Sequence, residues 1–291
     1  MPSALIAVPV PPLRPQEFRR LGTVLYEACG IRLHHGKEEL VRSRLGRLVA
    51  AAGARTFGAY LDIVEREAAA GRPAHFDALI DALTTNQTAF FREPAHFDFV
   101  RSTMLPALAT ATRPVRVWSA GCSTGEEPFS LAALMHEHLS GPRFDTARVL
   151  ATDVSSRVIA RARTATYSAK SAAVPRPLRR RLFETPIRGD DLVIRAQLRA
   201  IVRFARLNLI DDWPLRGPFD AIFCRNVLIY FDAPVRQRLI QRFATLLAPG
   251  GYLFVGHSES LSALTHELSY VRPAIYRREG GSGGNEIEES D

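Results

Sequence analysis

The sequence predicts an α/β protein: a layered sheet of parallel strands with helical crossovers, preceded by a small all-helical domain and carrying a small antiparallel β excursion. Three observations carry this. From Val115 onward, short apolar runs alternate with amphipathic stretches, the pattern of parallel strands joined by helical crossovers. From Gln16 to Thr84 the apolar positions recur at helical spacing instead. Between the second and third apolar runs, Leu192–Ile194 and Ala200–Phe204 alternate around polar residues after the turn signal Gly189-Asp190-Asp191.

In chain order, residues 1–15 are a Pro-rich lead and 16–84 the helical domain, punctuated by Gly22, Gly30, Gly53 and Gly71. Residues 85–114 link it to the sheet. The sheet domain, 115–278, draws strands from Val115–Trp118, Ala147–Thr152, Ile201–Phe204, Phe219–Cys224 and Tyr252–Val255, with the excursion at about 186–206. Residues 279–291, Gly-rich and then acidic, have the composition of a flexible tail.

With 291 residues, 46% of them hydrophobic, the chain can bury one substantial core and a smaller second one. The apolar stretch Leu5–Val10 is too short to span a bilayer and runs into Pro11, Pro12 and Pro15, so neither a signal peptide nor membrane insertion is expected. Cys29, Cys122 and Cys224 are odd in number and far apart, which suits a reducing cytoplasm and gives no reason to expect zinc. His34, His35, His96, His136, His138, His257 and His266 also lack metal spacing, and His257 reads as structural. The net charge of +8 favours an acidic partner, whether nucleic acid, anionic lipid or an acidic protein surface.

Four segments could carry chemistry. Val115–Pro128 reads as a strand, a loop of small residues and a helix opening at Glu126, so a backbone could approach a ligand closely there. Set against the S-adenosylmethionine loop, acidic-x-Gly-x-Gly-x-Gly, Gly121 and Gly125 fit, while Ser119 holds the acidic place and Ser123 the middle glycine. A tight turn without a ligand fits the same residues, and the spacing excludes a phosphate cradle. Asp153 ends the second strand where nucleotide-binding sheets place an acid for ribose hydroxyls; it could equally cap the helix beginning near Ser155. Phe219–Asp232 is a buried strand that delivers Arg225, Asn226 and Tyr230 at its carboxyl end, polar groups hard to explain as core. Thr84–Glu93 gathers Asn86, Thr88 and Arg92 around Phe90 and Phe91, a pattern that a plain linker with anchoring aromatics would also give.

Taken together and in order, these segments resemble the chemotaxis receptor glutamate O-methyltransferases, the CheR family. The matching stretches are Thr84–Glu93, Val117–Pro128, Ala151–Tyr167 and Phe219–Phe231, extended by Leu247–Ser260, within residues 15–278. The resemblance implies a Rossmann-like S-adenosylmethionine-dependent methyltransferase sheet, with S-adenosylhomocysteine as product. Asn86, Thr88, Arg92, Gly121, Glu126 or Glu127, Asp153, Asn208 with Leu209, and Arg225 with Asn226 would surround the cofactor. Tyr230 would lie near the transferred methyl, and Arg92 and Tyr230 would orient the acceptor carboxylate or shield the methyl. The chain departs from the family at Ala165-Thr166, where a glycine is commoner before Tyr167, and in the acidic tail.

The implied partners are methyl-accepting chemotaxis receptors, whose cytoplasmic part is an acidic helical bundle. Arg42, Arg44 and Arg47 on the predicted helix Glu38–Ala52 would receive it, although a solvated helix face has the same composition. A nucleic-acid acceptor is disfavoured, because the basic residues are not interleaved with aromatics that could stack bases and the Asn-Pro-Pro-aromatic signature is missing. A signalling adaptor that keeps the fold without transfer is a further alternative, opposed by the intact polar residues.

Overall fold

Residues 10–84, 86–169, 174–184 and 191–280 are described here from a computed structural model. The excursion's predicted start at 186–190, most of the lead, and residues 281–291 of the tail lie outside them.

The first domain is four helices, α1 (Pro15–Cys29), α2 (Glu38–Ala51), α3 (Phe57–Ala69) and α4 (Ala74–Leu83). Each boundary has a local cause. Pro15 occupies the first turn of α1, and the Glu17 carboxylate accepts the Arg14 N–H at 2.8 Å and that of Gly58, at the start of α3, also at 2.8 Å. Thr56 caps α3 by accepting the Ala59 N–H at 3.1 Å. Leu21, Leu25, Val41, Leu45, Tyr60, Leu61 and Leu79 close the core, and each such side chain contributes about 1.5–3 kcal/mol on burial. The linker is helical: α5 (Pro94–Phe99) runs through a π-type turn, Val100–Met104, into α6 (Leu105–Leu108).

The second domain begins with β1 (Arg116–Ala120), α7 (Glu126–His138), α8 (Pro142–Thr146), β2 (Arg148–Asp153) and α9 (Ser156–Thr164). Then come β3 (Thr166–Ser168), α10 (Arg176–Leu182), β4 (Asp191–Val193), α11 (Ala196–Ile201) and β5 (Val202–Arg206). It closes with β6 (Phe219–Cys224), α12 (Ala233–Leu246), β7 (Leu247–Val255), β8 (Leu268–Arg272) and β9 (Ile275–Arg278). Seven strands form one sheet in the order β5-β2-β1-β6-β7-β9-β8, and only the β7-β9-β8 edge is antiparallel. The chain winds outward from β1 through β2 to β5, then returns to β6 and β7 on the other side. The switch point between β1 and β6 therefore opens a crevice above the strands' carboxyl ends. Both faces are covered: Phe129, Leu131, Phe223 and Phe254 lie in one core layer, Trp118, Ile222, Phe243 and Leu253 in the other.

Two expectations need correction. The excursion exists as a two-stranded antiparallel sheet, but its strands are β3 and β4, with Thr166 opposite Val193 and Ser168 opposite Asp191. Ala200–Phe204 has no place in it; β5 runs parallel to β2, Val202 opposite Val149. The alternation there reflects an edge strand buried on one face, which needs no antiparallel neighbour. The β8-β9 hairpin was not foreseen. Among the described residues no helix is long and apolar enough to cross a membrane.

Candidate functional site

The loop after β1 is shaped by its glycines. Gly121 has φ +88°, and the N–H groups of Gly121 and Cys122 both donate to the Thr152 carbonyl, at 2.7 and 2.9 Å. A Cβ on Gly121 would fall 2.4 Å from Val227 Cγ2, so this turn closes onto the β6 loop only because the side chain is absent. Ser123, also left-handed at φ 48°, donates its N–H to Asp153 Oδ2 at 2.9 Å and its hydroxyl to the Asn86 carbonyl at 3.0 Å. Asp153 Oδ1 accepts the Ser155 N–H at 3.0 Å, while Ser155 itself caps α9 by accepting from Val158 at 3.2 Å. Capping is therefore Ser155's work, and Asp153 stands at the end of β2 on the cavity wall. Burial raises its carboxyl above the usual range, against the pull of the Ser155 and Ser123 N–H groups.

Across the switch point, β6 is followed directly by Arg225, whose guanidinium is nearly inaccessible. It donates to Glu127 Oε2 at 2.8 Å, to Glu93 Oε2 at 3.1 Å and to the Arg92 carbonyl. Ser119 adds a hydrogen bond to Glu127 Oε1 at 2.6 Å. Burial raises the Glu127 carboxyl, opposed by Arg225; for Glu93 burial also raises, but Arg225 prevails and the carboxyl is held below its ordinary value. Asn226 adopts φ 58°, and its side-chain amide donates to Glu93 Oε1 at 3.2 Å. The buried Glu259, after β7, clamps this turn by accepting the N–H groups of Asn226 (2.8 Å), Gly256 (2.5 Å) and Ile229 (3.1 Å).

The segment before the sheet closes the cavity from above. Phe90 anchors it edge-on against Tyr167 and Phe183. Phe91 and Glu93 both have positive φ, 52° and 59°, and bracket Arg92. Each left-handed residue costs of order 1–3 kcal/mol, a strain typical of functional turns. Ser130 Oγ accepts the Phe91 N–H at 3.0 Å, and the Arg92 guanidinium reaches back to the Gln87 carbonyl at 2.8 Å.

The helical domain supplies the remaining wall. Asn208 donates to the Ala28 carbonyl at 2.7 Å, and the Arg32 N–H to the Tyr230 carbonyl at 3.0 Å, which fixes the end of α1 so that Cys29 and Ile31 face the cavity. The enclosed space is about 360 Å³. Asn86, Thr88, Arg92, Gly121, Glu127, Asp153, Asn208, Leu209, Arg225, Asn226 and Tyr230 all line it. Glu126 does not: its side chain is buried and held by the Thr124 hydroxyl at 2.7 Å. Sequence reasoning missed Ser123 as a ligand of Asp153, Glu93 as the partner of Arg225 and Glu259 as the clamp, although all three fall in the segments it had singled out.

The three arginines of α2 have different surroundings. Arg42 is paired with Glu39 at 2.7 Å, Arg44 donates to the Leu83 carbonyl at 3.1 Å, and Arg47 is exposed. They do not form a uniform cationic strip.

A parallel sheet with a glycine turn after its first strand, an acid ending its second and a partly apolar cavity above both defines the class: an S-adenosylmethionine-dependent methyltransferase. The buried Asp153 carboxylate suits a ribose diol, Val154 and Leu209 offer apolar surface, and Glu127 with Arg225 offers charge for an amino-acid moiety. The SAM-binding domain of CheR methyltransferases matches residues 86–276, and their all-alpha domain matches residues 16–84. The chain is 40% identical over 273 residues to a chemotaxis protein methyltransferase of Klebsiella aerogenes, covering 91% of this chain and 90% of that one. It is 39% identical to the chemotaxis protein methyltransferase of Escherichia coli, covering 89% of each, and 35% identical to that of Borreliella burgdorferi, covering 90% of this chain and 94% of that one. The chain belongs to the CheR methyltransferase family.

Proposed function

We propose that the protein transfers a methyl group from S-adenosylmethionine to glutamate carboxylates of chemotaxis receptors, giving glutamate methyl esters and S-adenosylhomocysteine. The observation that carries this reading is the one cavity that Asp153, Glu127, Arg225, Arg92 and Tyr230 all line. Asp153 would accept hydrogen bonds from ribose hydroxyls, pre-set by Ser123 and Ser155. Glu127 and Arg225, locked to each other, would bind the amino and carboxylate groups of the methionine part. The cofactor supplies a methyl on a sulfonium, with a neutral thioether as leaving group.

The acceptor needs no general base, since a glutamate side chain with pKa near 4.3 is already ionised at neutral pH. What remains for the protein is placement and exclusion of water. Arg92, on its strained turn, and Tyr230 would orient the incoming carboxylate or shield the methyl. The acidic helical bundle of a receptor, rather than nucleic acid, suits the basic chain and the exposed Arg47.

Calorimetric titration with S-adenosylhomocysteine should show micromolar binding by the wild type and none by Asp153→Ala. Arg92→Ala and Tyr230→Phe should lower receptor methylation by more than tenfold at unchanged Tm, as displaced attack geometry does. Unchanged turnover in both would remove these two residues from the reaction. Binding without methylation of any receptor would favour an adaptor.

A further inference from the structure

The fold brings together three residues that the mechanism does not use as a group. Glu93 Oε2 lies 3.5 Å from His96 Nδ1 and 3.9 Å from His257 Nε2, and the three donor atoms all fall within 4.8 Å of one another. The two imidazoles meet edge-on, centroids 4.8 Å apart. Glu93 immediately precedes α5, His96 lies in its first turn, and His257 comes from the loop after β7, so no spacing in the sequence announces the cluster.

His96 is the unusual member. Its side chain is 1% exposed, yet neither ring nitrogen has a hydrogen-bond partner among the described residues. A buried polar atom left unpaired costs about 1–3 kcal/mol, and native interiors seldom leave one so. Its Nδ1 faces the Glu93 carboxylate at a distance too long for a good hydrogen bond. Donors on a tetrahedral ion with metal bonds of about 2.0–2.1 Å sit about 3.3 Å apart, close to both distances from Glu93. The contraction still needed between the histidines falls on His257, whose side chain is 50% exposed and can move.

We propose that Glu93, His96 and His257 form a binding site for a divalent transition-metal ion of the zinc class, with water completing the coordination. Two imidazoles and a carboxylate are the ligand set such ions accept. Local charge permits it, because the Arg225 guanidinium faces two carboxylates, Glu93 and Glu127. Among the described residues neither imidazole has a partner on its second nitrogen of the kind that sharpens metal affinity ten- to a hundredfold, so binding is expected on the order of micromolar. The site is linked to the cofactor cavity, since the Oε2 that would bind the ion is the atom that Arg225 uses. Metal and cofactor therefore change each other's affinity, and by the same factor.

The test is a titration of the chelator-treated full-length protein with Co²⁺, read by the ligand-field absorption of the tetrahedral ion, followed by displacement with Zn²⁺. One equivalent should bind to the wild type. His257→Ala should bind at least about tenfold more weakly. His96→Phe, which keeps the edge contact with Phe254, should do the same, with Tm confirming its fold. His35→Ala, removing an exposed histidine remote from the cluster in sequence, should bind like the wild type. Zn²⁺ at a concentration that just fills the wild-type site should change S-adenosylhomocysteine affinity several-fold in the wild type and much less in His257→Ala, where the same concentration leaves most of the site empty. Absence of binding by the wild type, or equal binding by His257→Ala, would overturn the site; binding that leaves cofactor affinity untouched would overturn the linkage. If His96→Phe does not fold, His257→Ala alone decides.

Discussion

Glu126 and Glu127 stand side by side at the start of α7 and do different work. A helix turns about 100° per residue, so one carboxylate points at Ser119 and Arg225 while its neighbour is buried under Thr124. Burial, only partly opposed by the Thr124 hydroxyl, raises the Glu126 carboxyl above its ordinary value. A group whose pKa is higher folded than unfolded stabilises the fold below its unfolded pKa, and that contribution is lost as pH rises through the folded value. Glu126→Gln keeps an acceptor for Thr124 without the buried charge. Its Tm should exceed that of the wild type at pH 7, with the gap closing toward pH 4, and S-adenosylhomocysteine affinity should change by less than about twofold. Glu127→Gln should instead weaken that affinity at least about tenfold, because it breaks a buried, charge-assisted pair. Thermal melts across this pH range and calorimetry check both. The reverse pattern of affinities would exchange the two residues. Nothing in the adjacent pair of letters distinguishes them; the distinction lies in Arg225, which reaches Glu127 only through the sheet.

At the scale of elements, strands of the parallel sheet were legible because burial on both faces produces continuous apolar runs. Phe219–Cys224 is buried at every position, and the polar residues after it stood out for that reason. The strands that escaped notice are short or lie at an edge. β3 has three residues with only Tyr167 buried, too few for any period to show. Glu259 was hidden differently, since its three N–H partners come from two loops and its letter reads as an ordinary polar residue. The β6 turn depends on it. A glutamine at 259 has one acceptor oxygen and would direct an NH₂ toward at least one backbone N–H, at a cost of about 1–3 kcal/mol. Glu259→Gln should therefore lower Tm by several degrees and, by loosening the turn that carries Asn226 and Tyr230, reduce methylation by more than the loss of folded protein explains. Equal loss in both would make the clamp purely structural.

The whole molecule is two domains joined across the cavity. Besides the Asn208 and Arg32 contacts, Tyr26 donates to Asp232 at 2.7 Å, Arg157 to the Asp81 carbonyl at 3.1 Å, and Arg206 pairs with Asp77. Composition and periodicity revealed both domains and the net charge of +8, but not that Cys29, Ile31 and Leu83 would reach the cavity, because these contacts depend on how the domains dock. Packing of α2 on α4 within the helical domain separates the arginines of α2. Arg44 holds the Leu83 carbonyl at the cavity's edge, so reversing its charge disturbs the cofactor wall together with any receptor face. Arg47 is exposed and offers the cleaner test. If an acidic receptor helix docks on α2, Arg47→Glu should raise the receptor KM about three- to tenfold at low salt and leave S-adenosylhomocysteine affinity unchanged. The difference from wild type should shrink as ionic strength approaches about 0.5 M, where exposed charges are screened within a few ångströms. Arg44→Glu should raise the receptor KM and weaken cofactor binding together. A receptor KM indifferent to Arg47→Glu at low salt would make this helix face a solvated surface and move the docking site elsewhere on the basic chain.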